Sequence, residues 1–300
     1  MAIDAADLPL LFGEAKRCPF AGSVLTLGRQ DVTVTPAALR RVAGQCGFDL
    51  PRPLPTDLPP DERLDDGTLL RALGFDEVDS MDVSDYEGAT VIHDLNAPAP
   101  PEGLEGRYDL VFDRGTAEHV FHLPNLLSTV VRLAKPGGRI MHLVPSSNHM
   151  DHGFYMFSPT LFHDYYRANG LAVEQIRLVR HPFLQRDPVI EIYDYRPGAL
   201  VPIAHGGLDD GSYQIFCVAT RTEGARHDQV PQQSFYVEAW KAGDAAAGVR
   251  RGGGLKAVLR AVLRGIPPLY RAFAAVSSRL KKRRYMRRAL VPIARHRIEG

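Results

Sequence analysis

The sequence predicts a three-layer α/β sandwich built on a mostly parallel, seven-stranded sheet, followed by a basic helical C-terminal extension. Three observations carry this. Short apolar runs alternate with amphipathic helical patterns from about residue 20 to 222. Tyr108-Asp-Leu-Val-Phe-Asp113 ends at an acidic turn, a helical pattern runs on to Lys135, and Pro136-Gly-Gly leads into a second buried-looking strand ending at Val144. This is a strand–helix–strand unit whose ligand-facing chemistry lies at the carboxyl end of its first strand. Finally, the last two strands follow one another without a full helix between them, which places an antiparallel pair at the sheet edge.

The elements follow in order. Ser23-Val-Leu-Thr-Leu-Gly28 is an apolar run closed by glycine, the first strand. Thr35-Pro36 has the character of a helix cap and first residue, and Leu39, Val42 and Ala43 follow at helical spacing. Residues 49–66 are rich in proline and acids and predict an exposed insertion. Gly67 to Leu73 predicts a short helix closed by Gly74. Glu77–Asp82 and Ala89–Asp94 predict strands with acidic tips. The helix between the two strands of the central unit is expected over roughly residues 122–135. Ser158-Pro159 opens a helix that Asn169-Gly170 stops. Leu171–Val179 and Tyr213–Thr220 alternate as strands, joined by a Pro/Gly-rich connection over 182–211. The expected organisation is a domain over 1–225, a Gly/Ala-rich linker over 226–254, and a basic amphipathic helical tail over 255–300.

Composition narrows the class. With 45% apolar and 24% charged residues, the chain is that of an ordinary soluble globular protein. Cys18, Cys46 and Cys217 are far apart and odd in number, so neither a disulfide framework nor a zinc knuckle is expected. The first residues lack the layout of a signal peptide, and no run approaches the length of a membrane span. A cytoplasmic setting follows as the expectation, with peripheral attachment at the inner membrane face as an addition. The net charge of +1 hides an asymmetry, because residues 250–300 carry 15 Lys/Arg and only one acid, Glu299. Leu255, Val258, Leu259, Val262 and Leu263 share one helical face there, with Lys256, Arg260 and Arg264 elsewhere. Residues 255–290 thus suit an anionic membrane surface, or form a solvated extension. Nucleic acid is a less favoured partner, because no recognisable RNA-binding module accompanies the basic run.

Tyr108-Asp-Leu-Val-Phe-Asp, Glu118-His-Val and Leu133-Ala-Lys-Pro-Gly-Gly-Arg139, in this order, resemble the class I S-adenosylmethionine-dependent methyltransferase family, over about residues 20–222. The resemblance implies a Rossmann-like fold, S-adenosyl-L-methionine as cofactor, and methyl transfer to a hydroxyl or similar nucleophile. It implies that the turn Gly28-Arg29-Gln30-Asp31 approaches the methionine part and that Asp82 takes the ribose hydroxyls. Asp94, Leu95 and Asn96 would meet the adenine, while Asp113, Arg114 and Gly115 would lie beside the sulfonium. A carboxylate suits paired hydroxyl donors, which agrees with the place given to Asp82. The departures are in the first turn. Thr26 stands where the family has an acid, and Gln30 and Val32 stand where it has glycines. The interval from Gly28 to Asp82 is also lengthened, to 54 residues.

His119 and His152 are the candidate general bases, with His149 beside the latter. No metal is expected: His149 and His152 stand three apart, but few other ligands lie near them in sequence. The loop 146–157, dense in His and aromatic residues, predicts the acceptor side. Its His-Gly-Phe-Tyr resembles loops in methyltransferase-like proteins of bacterial surface-saccharide gene clusters, which implies a small-molecule or saccharide acceptor and a role in polysaccharide biosynthesis. The altered glycine turn leaves a non-catalytic binding or scaffold protein open. A membrane-peripheral factor working through its tail is a third class. A dehydrogenase is disfavoured by the absence of Gly-x-Gly-x-x-Gly, and base methylation by Asp113-Arg-Gly-Thr where an Asn-Pro-Pro-Tyr loop would stand.

Overall fold

Alternation of side chains along five parallel strands decides the architecture. The computed structural model describes residues 2–181, 189–204, 206–242, 276, 280, 284, 286 and 288–297. They fall into two compact units, one of 1–195, 210–231 and 292–300, the other of 196–209 and 232–291. In the first unit the elements run β1 (Ala2–Ile3), α1 (Leu8–Arg17), β2 (Ser23–Leu27), β3 (Asp31–Val32), α2 (Pro36–Cys46), α3 (Asp66–Ala72), β4 (Glu77–Asp82) and β5 (Val91–Ile92). They continue with β6 (Tyr108–Asp113), α4 (Leu123–Leu133), β7 (Ala134–Pro145), α5 (Pro159–Ala168), β8 (Ala172–His181), β9 (Val189–Asp194) and β10 (Ser212–Thr220). The second unit holds α6 (Ser234–Ala242), and the chain then adds β11 (Pro292–Arg297) to the first unit.

The main sheet runs β11-β9-β8-β10-β7-β6-β2-β4-β5. The strands from β5 to β7 are parallel, and β10 enters antiparallel beside β7. Val24, Leu110, Phe112, Met141, Leu143, Phe216 and Val218 face one way and join the core with α1, α2 and α3. The alternate residues Val111, Ile140, His142 and Cys217 are equally buried, on the face that α4 and α5 cover. The three layers and all seven expected strands are present, in a Rossmann-like arrangement. The chain leaves β2 for β4 and β5 on one side, then crosses back to β6 on the other. The crevice outside the carboxyl ends of β2 and β6 is the topological switch point.

Local sequence accounts for the helix boundaries. Thr35 caps α2 by accepting from Ala38 N at 3.1 Å, with Pro36 in the first turn, and Gly47 ends it at φ +58°. Ser158 accepts from Thr160 N to start α5. The helix expected to reach Lys135 stops at Leu133, because Ala134 is already extended and begins β7. Gly138 is required there, since a Cβ on it would lie 2.8 Å from Tyr108 O.

Several expectations are corrected. The sheet has nine strands among the described residues, with β9 and β11 added at one edge; it is mostly parallel as expected, only β10 and β9 running against the other strands. The helix α1 and the small parallel sheet β1–β3 were not foreseen. The 49–66 insertion is not uniformly exposed, for Leu54, Leu64 and Asp66 are buried. The expected linker contains α6. The end of the basic tail is not helical. Residues 292–297 form an edge strand on β9, with Arg295 and Arg297 facing solvent and Arg295 Nε donating to Glu191 Oε1 at 2.9 Å. Charged side chains suit an edge, where one row of side chains and the outer backbone meet water. Most of residues 255–290, read as an amphipathic helix, lies outside the described residues. Among the described residues no helix is long and apolar enough to cross a membrane.

Candidate active site

A cleft of about 360 Å³ lies at the switch point, lined by residues after β2, β4, β5 and β6. Gly28, Arg29, Asp82, Asp94, Leu95, Asn96, Gly115 and His119 all line it, so the structure brings these predicted residues together. Asp113 and His152 do not reach its lining.

The turn after β2 is rebuilt without its usual glycines. Gly28 sits at φ +70°, and its N–H donates to Met81 O at 2.7 Å, tying the turn to β4. A Cβ on Gly28 would lie 2.9 Å from Thr116 Oγ1. Thr26 Oγ1 donates to Gly28 O at 2.9 Å, and buried Gln30 donates from Nε2 to Leu27 O at 2.8 Å and Gly28 O at 3.3 Å. The residues at the places of the missing acid and second glycine therefore close the turn on its own carbonyls. Asp66, from the end of the insertion, completes it by accepting from Arg29 Nε at 3.1 Å. The chain then passes through β3 before α2 begins, so α2 does not follow the turn directly. Arg29 is held further by donating from Nη1 to Gly88 O at 3.0 Å.

Across the cleft, Asp82 ends β4 half-buried. One of its oxygens accepts from Val83 N, and the other faces the Gly28 turn. Asp94 is exposed and forms a tight turn, accepting from Asn96 N and Nδ2, each at 2.8 Å; those bonds hold its carboxyl below the usual range. Asn96 in turn accepts from His122 N and Asn125 Nδ2, which docks this loop on the start of α4. The buried Nε2 of His93 has no partner among the described residues and its ring lines the cleft, as do Gln30, Thr116 and Glu87. Of these, Gln30 belongs to the turn already expected at the cofactor, whereas His93, Thr116 and Glu87 were not expected at the site, because only the fold places them beside Asp82.

Asp113 and Arg114 are corrected. Asp113 is fully buried and turns inward, accepting from Thr116 N, Ala117 N and His142 Nδ1 at 2.9, 3.2 and 2.7 Å. His142 passes the chain on to Tyr166 Oη. Asp113 thus fixes the turn from beneath and does not touch the cleft. Arg114 also points away, donating to both oxygens of Asp7 at 2.8 and 3.1 Å. Arg114 is one reason that α1, a helix unforeseen in the sequence, is anchored to this turn.

The turn continues into Glu118 and His119. The side chain of Glu118 is buried, and neither carboxylate oxygen has a hydrogen-bond partner among the described residues. Burial, with Asp113 nearby, pushes its carboxyl up to about 8. His152 Nε2 lies 3.5 Å from Glu118 Oε1, and His119 Nε2 lies 4.0 Å from it. The two imidazoles meet with ring centroids 5.3 Å apart, so both predicted bases converge although only His119 lines the cleft. Burial and then the neighbouring His152 hold His119 below the usual histidine range. Phe154 N donates to Glu118 O at 2.7 Å, which fastens the 146–157 loop over this group.

No protein-family profile and no curated protein matches the chain. Among solved structures it is similar to the YcgJ protein of Bacillus subtilis, at 12% identity and a TM-score of 0.40, over 72% of this chain and 98% of that one. It is also similar to phosphoethanolamine N-methyltransferase 2 of Haemonchus contortus, solved with S-adenosyl-L-methionine, at 14% identity and a TM-score of 0.38, over 72% of this chain. The match spans about half of that longer protein, 53%. A geranyl diphosphate methyltransferase, solved with the same cofactor, matches at 11% identity and a TM-score of 0.38, over 73% of this chain and 85% of that one.

Proposed function

We propose that the cleft binds S-adenosyl-L-methionine and that the protein transfers its methyl group to a hydroxyl of a small molecule or saccharide. One observation carries the reading: the half-buried carboxylate of Asp82 and the positive-φ turn at Gly28 face each other across a cleft at the switch point. The residues present fit such a group. The cleft volume lies in the range of small-molecule sites, roughly 300–1,000 Å³. The free oxygen of Asp82 suits the paired hydroxyls of a ribose. The loop at Asp94, Leu95 and Asn96 offers an apolar side chain between polar groups, as a purine needs. Gly28 leaves the space that a longer side chain would fill.

The bound cofactor supplies a methyl carbon on a positively charged sulfur. The chain's own part is positioning, since alignment of acceptor and methyl provides most of the acceleration in such a displacement. His119, with His152 and Glu118 beside it, marks the side from which the acceptor oxygen approaches and loses its proton. Phe121 and Phe154 stand exposed on the same side, edge to face with centroids 5.6 Å apart. Their rings suit the apolar face of a sugar, which supports an acceptor of the kind found in surface polysaccharide synthesis, a cytoplasmic reaction.

Calorimetry with S-adenosylmethionine tests the proposal. One equivalent should bind, and Asp82→Asn should weaken it at least about tenfold, the loss expected of one charge-assisted hydrogen bond. Absence of binding at millimolar cofactor sinks the reading. The closed, glutamine-filled turn favours a second reading, a binding protein without turnover. Cofactor binding without methyl transfer to any hydroxyl acceptor would select it. The anionic-membrane role of residues 255–290 rests on the sequence alone. Truncation is the wrong test, because it also removes β11. Lys281→Ser with Arg284→Ser should reduce retention on anionic vesicles, and unchanged retention would dismiss that role.

A further inference from the structure

We infer that Glu118, His119 and His152 form a binding site for one divalent transition-metal ion at the acceptor end of the cleft. Glu118 Oε1 lies 3.5 Å from His152 Nε2 and 4.0 Å from His119 Nε2, and one ligand atom from each side chain falls within 4.8 Å of the others. A tetrahedral ion with bonds of about 2.0–2.2 Å holds its ligand atoms about 3.4 Å apart. The carboxylate–His152 pair already has that spacing, and His119 needs only a small rotamer adjustment. The set of two imidazoles and one carboxylate leaves a fourth position open, the arrangement of catalytic rather than structural ions.

A second observation points the same way. The Glu118 side chain is 1% exposed, with neither oxygen hydrogen-bonded among the described residues. A buried carboxylate without partners is costly, and a cation bound beside it removes the cost. The side chains of His119 and His152 are each 45% exposed, so the group is closed beneath by Glu118 and open above to solvent and the cleft. The geometry is also held in place. A Cβ on Gly153 would lie 2.8 Å from Glu118 O and 3.0 Å from Glu118 Cγ, so the glycine lets the loop seat His152 directly over the carboxylate. Asp113, pinned by His142, fixes the turn that carries Glu118 and His119.

An ion held there would take an oxygen of the acceptor in its open position. That role rests on the methyl-transfer reading, whereas binding of the ion does not. The test uses the full chain, stripped with EDTA and titrated with zinc(II) against a chromophoric chelator. Cobalt(II) is titrated in parallel, its visible bands reporting nitrogen and oxygen ligands. One equivalent should bind. Glu118→Gln and His152→Ala should each weaken binding at least about tenfold, since loss of even a supporting group around a metal does so. His227→Gln, whose imidazole pairs with Ser128 instead, should change nothing. Less than half an equivalent bound, or an affinity unmoved by both substitutions, overturns the site. Cofactor calorimetry in EDTA separates the two readings. Cofactor binding without metal binding removes only the metal site; metal binding without cofactor binding keeps the site and removes its role at a methyl acceptor.

Discussion

Replacing Gly28 by alanine should cost the fold about 2–3 kcal/mol and also weaken cofactor binding. The backbone there is left-handed, at φ +70°, where an L side chain costs roughly 1–2 kcal/mol. The added methyl would lie 2.9 Å from Thr116 Oγ1, which donates to Leu27 O at 2.6 Å. Moving Thr116 aside forfeits that bond, about 0.5–1.5 kcal/mol more. The same methyl stands 3.8 Å from Asp82 Oδ2, inside the space the proposed cofactor would need. Urea unfolding followed by circular dichroism gives the stability change, and calorimetry gives the affinity. A Gly28→Ala, Thr116→Ala double variant should be less destabilised than the sum of the singles, because one clash is removed from the pair. A single variant within about 0.5 kcal/mol of the parent, with unchanged affinity, would refute both the turn geometry and the place of Gly28 in the site.

Two further outcomes follow from buried charge. Arg114→Met should destabilise by about 3–5 kcal/mol, since it strands Asp7, which is 1% exposed in the pair, beside Asp4 and Glu118. Adding Asp7→Leu should restore most of the loss, and denaturant midpoints of the two variants decide. Asp4 gives the pH dependence. Burial first, then Asp7, push its carboxyl from 3.8 to about 6 against the pull of Arg114. The folded chain therefore holds this proton more tightly than the unfolded one. The associated stability is full below pH 3.8 and is lost as pH rises through 6. Its size is at most about 3 kcal/mol, reduced to about 1–2 by partial exposure. Asp4→Asn should thus be more stable than the parent at pH 7.5 and nearly equal to it at pH 4. A difference that stays constant across this range would dismiss the shift.

Much of the fold was legible because local chemistry and tertiary structure agree. Thr35-Pro36 and Ser158-Pro159 open α2 and α5 as local cap chemistry expects, and the apolar-rich runs at 108–113 and 139–144 suit strands buried on both faces. The site was legible only where strand ends define it, as at Gly28, Asp82 and Asp94. Asp113 was misread because an acid at a strand end is the same in sequence whether it faces a ligand or turns under the sheet. The choice was made by His142 on the neighbouring strand, 29 residues later. Helix α1 was overlooked because its pattern is short and interrupted by Pro9 and Gly13. Strand β11 was hidden by its charge, which reads as a solvated face until an edge is available to receive it.

The central strand–helix–strand unit, and the placing of a ligand site at the carboxyl end of its first strand, was determined by sequence alone, because apolar period and turn residues act over a few neighbouring positions. Tertiary structure decided two things. It closed the altered turn, using Thr26, Gln30 and an aspartate, Asp66, from the end of a proline-rich insertion. It also brought His152, more than thirty residues further along the chain, onto the adjacent pair Glu118 and His119. Both depend on distances through space between segments whose sequences carry no mark of each other.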